Sequence, residues 1–261
     1  MHKGSEEMEI YYLVIFFIFG LVFGSFFNVV GYRLPNKMSL ISPPSHCPQC
    51  NHKLTPIELI PVFSWVFQKG RCKNCGNKIP IFYPIFELFT GIVFALIYYV
   101  FGLSAQTFIA IIFASMILII TISDVLYMII SDEVLIFCGG VIFLIKIITS
   151  GVSIIIPTII NMLIPFILMY LIKILGNLIF KRESLGDGDI KLMIVFGMVL
   201  GWQVAIFTIV LSSFLALPIS LIGLRKNVSH EIPLGPYLGL AAFICLITKI
   251  DTSFIYKILG L

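Results

Sequence analysis

Residues 105–132 read AQTFIAIIFASMILIITISDVLYMIISD. From Ala105 to Ser123 the run carries no charge at all. A helix needs about 20 apolar residues to cross the hydrocarbon core of a bilayer, and this run has that length. Asp124 closes it, with Val125, Leu126, Met128, Ile129 and Ile130 following before Asp132 and Glu133. Comparable apolar runs occur at Tyr11–Val30, 82–101, 134–150, 153–178, 190–201, 203–224 and 234–249. The sequence therefore predicts an all-α polytopic membrane protein with about eight transmembrane helices.

Composition agrees. Of 261 residues, 59% are hydrophobic and 11% charged, whereas a soluble domain carries about 25% charged residues. Mean hydropathy is +1.09. These values exclude a disordered chain, a small disulfide-stapled domain and a soluble enzyme with one core. A net charge of +4 is too mild to point to nucleic acid.

One long polar stretch interrupts the apolar runs, at 33–81. Its bases are Arg33, Lys37, Lys53, Lys69, Arg71, Lys73 and Lys78, and its one acid is Glu58. Basic loops stay in the cytoplasm, so this loop is expected there, between helices 1 and 2. The N-terminus carries Glu6, Glu7 and Glu9 and lacks the basic n-region of a signal peptide. The first run then reads as a retained helix with its N-terminus outside. Alternate threading leaves both termini outside and brings Lys173, Lys181, Arg182, Lys191, Arg225 and Lys226 to the inner side, with Lys3, Lys146, Lys249 and Lys257 outside. Three regions follow: 10–100 with the loop, 105–225, and a C-terminal loop with the last helix at 226–261.

The loop holds Cys47-Pro48-Gln49-Cys50 and Cys72-Lys73-Asn74-Cys75. Two C-x2-C turns brought together offer four thiolates in a tetrahedron, the set a structural zinc ion prefers. Two disulfides are the alternative, disfavoured in a reducing cytoplasm. His46 and His52 flank the first pair as substitute ligands or solvated side chains. Cys138 and Cys245 lie in apolar runs and read as small hydrophobes.

Carboxylates at membrane depth are costly and point to function. Asp124, Asp132 and Glu133 fall at the same predicted face as Gly186-Asp187-Gly188-Asp189. Two close carboxyls share one proton. The charged one takes a proton from water and the neutral one donates to a scissile carbonyl, which is aspartyl protease chemistry. The alternative is a helix cap at Asp189 and interfacial acids elsewhere. Spacing alone does not choose Asp124 over Asp132, or Asp189 over Asp187.

Gly186–Asp189 resembles the GxGD signature of intramembrane aspartyl proteases. Four further segments narrow the resemblance to the type IV prepilin peptidases (prepilin leader peptidase/N-methyltransferases). They are Gly24-Ser25-Phe26-Phe27-Asn28-Val29-Val30-Gly31-Tyr32-Arg33-Leu34-Pro35, the paired cysteines around Ile60–Trp65, Tyr83-Pro84-Ile85-Phe86-Glu87-Leu88-Phe89-Thr90-Gly91, and Ile232-Pro233-Leu234-Gly235-Pro236-Tyr237-Leu238. The resemblance implies removal of a short basic leader from prepilins or pseudopilins at the cytoplasmic face of the plasma membrane. It also implies N-methylation of the new terminus with S-adenosylmethionine. Asp124 and Asp189 match the catalytic aspartates. Ser131 stands where the family often has proline, and Asp187 adds a third carboxylate to the signature.

No dinucleotide-type fingerprint marks a site for the methyl donor. The candidates are Gly24, Ser25, Asn28, Arg33, Glu87 and the zinc loop, with Glu87 foremost because an intramembrane glutamate needs a partner. An ion pair with Arg33 or another loop base is the structural reading of Glu87, and close helix packing that of Gly24, Ser25 and Gly31. Beside the two-activity enzyme stand a peptidase without methyl transfer, a zinc-bearing scaffold of a secretion or competence system, and, more distantly, a presenilin-like protease.

Overall fold

The computed structural model describes residues 3–181, 183–225 and 233–259, with the side chains of 3–6, 222–225 and 258–259 left aside. Arg182 and Lys226 of the basic count, and Ile232 of the fourth motif, lie outside the described residues. Among the described residues ten helices form: α1 (Lys3–Arg33), α2 (Phe63–Phe67), α3 (Phe82–Phe101), α4 (Ala105–Tyr127), α5 (Asp132–Ser150), α6 (Ile155–Phe180), α7 (Asp187–Leu200), α8 (Trp202–Arg225), α9 (Gly235–Ile247) and α10 (Thr252–Leu259). Among the described residues there is no strand, only two isolated bridges in the loop, His46 with Lys53 and Arg71 with Lys78.

All eight apolar runs are helical. Among the described residues six helices are long and apolar enough to cross a membrane: Glu7–Arg33, Phe82–Phe101, Ala105–Tyr127, Asp132–Ser150, Val152–Phe180 and Trp202–Leu221. The chain is a multi-pass membrane protein. The other two runs form shorter helices, α7 with 14 residues and α9 with 13. At 1.5 Å per residue these reach about 20 Å, short of the ~30 Å hydrocarbon core. Hydropathy located both elements without setting their lengths. Gly201, at φ 83°, ends α7, and Thr248 caps α9.

The chain divides into two compact units, Met1–Thr107 and Phe108–Leu261. In the first, α1 packs along α3. Glycines set their separation. A Cβ on Gly20 would meet the Gly91 Cα at 2.6 Å and the Thr90 carbonyl oxygen at 2.7 Å. Small residues at such crossings let helix backbones approach in a bilayer, where no hydrophobic drive separates helix from lipid. Between the two helices runs the loop, irregular apart from a 3₁₀ turn at Pro56–Leu59 and the single-turn α2. Its prolines account for this, because each removes an N–H donor and fixes φ.

In the second unit α4 is the most enclosed long helix, with 67% of its apolar window buried against 17% for α6. Phe113 and Phe196 are both fully buried here and stacked edge to face at 5.4 Å. Helix α7 packs on α5, α6, α8 and α9, so this short helix is surrounded by protein rather than lipid. Gly197 is the contact that brings it onto α6. A Cβ there would run into the Asn161 carbonyl oxygen. On α5, Lys146 donates to the Met198 carbonyl near the end of α7, a cation at the negative end of a helix. Helix α9 follows the undescribed segment and packs on α8 and α7, inside the second unit.

Candidate functional site

Two helix starts and one helix end compose the carboxylate site of the second unit. Asp124 lies one turn before the end of α4. The chain then turns at Met128, φ 54°, and α5 begins at Asp132 after the extended cap Ser131. The break thus forms with Ser131 in the place of proline. Asp124 is 6% exposed, and its Oδ2 accepts a hydrogen bond from the Gly235 N–H, 3.0 Å, at the first residue of α9. Only glycine fits there, since a Cβ on residue 235 would stand 2.6 Å from that Oδ2.

Asp189 sits in the first turn of α7 and is 8% exposed. Its Oδ1 is buried with no partner among the described residues. A buried polar atom left so costs about 1–3 kcal/mol. The Asp124 carboxyl lies within electrostatic reach of it. Gly188 lets the start of α7 approach the turn between α4 and α5. A Cβ there would meet the Ile130 Cβ at 2.6 Å. Gly188 of the signature therefore serves close packing of the two aspartate-bearing segments.

The other acids stand apart. Asp132 pairs with Lys191 at 2.7 Å, with 54% of its side chain exposed. Asp187 pairs with Lys173 and is 76% exposed. Burial and lysine partners separate Asp124 and Asp189 from their sequence neighbours, a distinction that spacing left open. The pairing with Lys173 draws Asp187 toward α6.

A second polar cluster lies in the first unit. Glu87 on α3 is 7% exposed. Its Oε2 accepts from the Val62 N–H at 2.7 Å, and the Ser25 side chain reaches the same carboxyl. Val62 adopts φ 61°, ψ −55°, and the Phe63 N–H reaches back to the Pro61 carbonyl at 2.6 Å. This is a γ-turn of the strained kind, made by a β-branched residue, and such backbone costs about 1–3 kcal/mol. It delivers an N–H to the carboxylate. Gly24 permits the approach of α1, since its Cβ would lie 3.0 Å from both the Glu87 Cα and the Thr90 Cβ. Asn28, one turn further along α1, is 7% exposed. Its Nδ2 donates to the Gly24 carbonyl at 3.1 Å, and its Oδ1 has no partner among the described residues.

Arg33 is also 7% exposed, but its Nη1 donates to the Ser39 and Leu40 carbonyls at 2.9 and 3.4 Å. It ties down the start of the loop, and among the described residues no ion pair joins it to Glu87. Neither Gly235 nor Val62 stood out in the sequence. Backbone donors carry no signal of their own there, although both residues fell inside motif segments.

The four loop cysteines converge. Their Sγ atoms all lie within 4.8 Å of one another, with Cys47–Cys75 at 3.8 Å and Cys50–Cys72 at 3.9 Å. Zinc–sulfur bonds of about 2.3 Å in a tetrahedron require sulfur separations of about 3.8 Å, so the set fits a zinc ion. All four are free thiols. Hydrogen bonds from the Asn74 side chain and the His52 backbone hold Cys50 down at about 6, which favours the ligating thiolate. His46 and His52 lie outside the set: His46 Nδ1 bonds the Pro44 carbonyl and His52 Nε2 faces Glu58 at 3.2 Å. The Thr55 N–H and hydroxyl hold Glu58 at about 2, so a charged carboxylate anchors this second turn of the loop.

Two buried carboxyls from different helices of the second unit, and a four-thiol cluster in the first, define a membrane protein with the acid groups that a hydrolase uses. Residues 18–101 match the bacterial peptidase A24 N-terminal domain, and residues 111–221 match the type IV leader peptidase family. The chain belongs to the type IV leader peptidase family. The two matched regions meet where the two compact units divide. A prepilin leader peptidase/N-methyltransferase of Bacillus subtilis (strain 168) is 39% identical over 189 residues, 72% of this chain and 74% of the relative. One of Aeromonas salmonicida (strain A449) is 30% identical, with 90% of each chain covered. One of Klebsiella pneumoniae is 32% identical over 76% of this chain and 89% of the relative. No solved structure matches the chain.

Proposed function

We propose that this protein removes the leader peptide from type IV prepilins or pseudopilins and N-methylates the terminus so exposed, with Asp124 and Asp189 as the catalytic pair. The observation that carries the reading is the pair itself: two buried carboxyls from α4 and α7, within electrostatic reach, one with an oxygen lacking any partner among the described residues. Two carboxyls so placed hold one proton between them. The ionised member takes a proton from water as the water oxygen bonds to the scissile carbonyl carbon. The protonated member donates to the carbonyl oxygen. On collapse of the tetrahedral adduct the C–N bond breaks and the departing nitrogen receives the proton. The Gly235 N–H fixes Asp124 throughout.

The cluster around Glu87 is assigned to methyl transfer. Its buried oxygens are acceptors, one taken by the Val62 N–H and the Asn28 amide oxygen without a partner among the described residues, which suits positively charged donors. S-Adenosylmethionine, when bound, supplies an electrophilic methyl group on a sulfonium. Glu87, Ser25 and Asn28, with Gly24 giving room, would hold it and the acceptor; Arg33 shapes the adjoining loop. Cys47, Cys50, Cys72 and Cys75 would hold zinc with a closed shell, a structural role. The basic loop and both aspartates are placed at the cytoplasmic face of the plasma membrane, with the termini outside, by the excess of bases on that side. A non-enzymatic scaffold offers no reason for the buried pair.

The test is mass spectrometry of a prepilin incubated with the protein in liposomes and S-adenosylmethionine. The expected product is shortened by the leader and heavier by one methyl group. A shortened, unmethylated product would overturn the methyl-transfer half. An unprocessed prepilin, with zinc bound and several prepilins tried, would overturn the whole reading.

A further inference from the structure

Asn28 is the least explained polar group of the first unit. Its amide nitrogen is used, on the Gly24 carbonyl. This fixes the amide orientation, because a carbonyl cannot donate to a carbonyl. Its oxygen is left buried with no partner among the described residues. Ser25 and Asn28 are three residues apart and so share a face of α1. Through Ser25 and Gly24 that face abuts Glu87. The side-chain oxygens gathered here are a carboxylate and an amide carbonyl. Both accept: Glu87 already takes the Val62 N–H and the Ser25 side chain, the Asn28 oxygen has no donor among the described residues, and a positively charged donor with at least two N–H groups would serve the two together.

We propose that Asn28 Oδ1 and the Glu87 carboxylate together bind a primary ammonium, the free α-amino terminus of the trimmed substrate, and so make this chain selective for an unblocked N-terminus. The assignment rests on the reading of this cluster as the methyl-transfer site and separates the acceptor's place from the donor's. A sulfonium has no N–H to give. An α-ammonium has three, enough for one to reach Asn28, one to reach Glu87 and one to remain. The strained Val62 turn fits this role, since its N–H takes up Glu87 Oε2 and aims the carboxyl without neutralising it.

The experiment is binding, read by fluorescence anisotropy in detergent. The probes are a labelled apolar peptide with a free N-terminal phenylalanine and the same peptide N-acetylated. Wild type should bind the free-amine peptide at least about tenfold more tightly, the size of a charged hydrogen bond gained. Asn28→Ala should shrink that preference to about twofold or less, whereas Asn28→Asp, which keeps an acceptor, should retain it. Unchanged zinc content shows that each variant is folded. Equal affinity of wild type for the two peptides would overturn the proposal, whatever the fate of the variants. So would a full preference in folded Asn28→Ala. A preference present in a protein that never methylates would sink the methyl-transfer reading and leave the ammonium site standing. Methylation in which Asn28→Ala raises KM for S-adenosylmethionine and not for the trimmed peptide would do the reverse.

Discussion

At the scale of single residues, the site is defined by how two aspartates are held. Asp124 has a fixed partner in the Gly235 N–H, and Asp189 presents an oxygen with no partner among the described residues. This asymmetry suits a pair in which one group is positioned and the other meets substrate. It predicts the effect of one methyl group. Gly235→Ala would force a Cβ to within 2.6 Å of the Asp124 oxygen, and misplacing a catalytic group by about 1 Å costs about a hundredfold in rate. Cleavage in Gly235→Ala should fall by that order, with methylation of a pre-trimmed substrate unchanged. Equal loss of both activities would point to misfolding instead. The aspartates themselves were legible as candidates, because carboxylates among apolar residues are rare. Choosing among them was a matter of the resemblance, since Asp132 and Asp187 carry the same side chain a few residues away. What distinguishes them physically is a lysine from elsewhere in the chain, Lys191 for the one and Lys173 for the other.

At the scale of elements, glycines regulate helix separation in both units, and each makes a separable prediction. Gly20→Ala sets a Cβ against the backbone of Gly91 and Thr90, which cannot move aside as a side chain could. Overpacking of this kind costs about 1–3 kcal/mol. It should lower thermal stability and depress methyl transfer more than cleavage. Gly197→Ala presses α7 off α6 at Asn161 and should depress cleavage more than methyl transfer. Both are measured by differential scanning fluorimetry alongside the two assays. Reversed effects would contradict the assignment of activities to units. The helices were legible from their apolar runs. Their lengths were less so: α7 and α9 come out at 14 and 13 residues. A hydropathy window registers composition and does not see that α7 is wrapped by neighbours and has no need to match the bilayer. The break between α4 and α5 also needed no proline, because Met128 turns the chain in the left-handed region.

At the scale of the whole molecule, two compact units and two family matches divide at the same place, and the four-thiol cluster belongs to the first. Wild-type protein should carry one zinc per chain by elemental analysis, and Cys72→Ser should carry far less. Metal removal by chelator should abolish methyl transfer while leaving most of the cleavage, because the loop supplies Val62 to Glu87. A chelated protein that methylates normally would show the loop to be dispensable. The cluster was the most legible feature of the sequence, since C-x2-C spacing fixes the local geometry of each pair. The cradle around Glu87 was only partly so. Its key atoms are a backbone N–H on a strained turn and one unsatisfied amide oxygen, which no residue pattern announces.

The central claim is that Asp124 and Asp189 perform the cleavage and do nothing else. The most direct measurement compares Asp124→Asn, Asp189→Asn and wild type in liposomes on two substrates, an intact prepilin and its pre-trimmed form. The account predicts that each variant loses cleavage by at least about a thousandfold and methylates the pre-trimmed substrate at the wild-type rate. Cleavage persisting at more than a few per cent in either folded variant would contradict it.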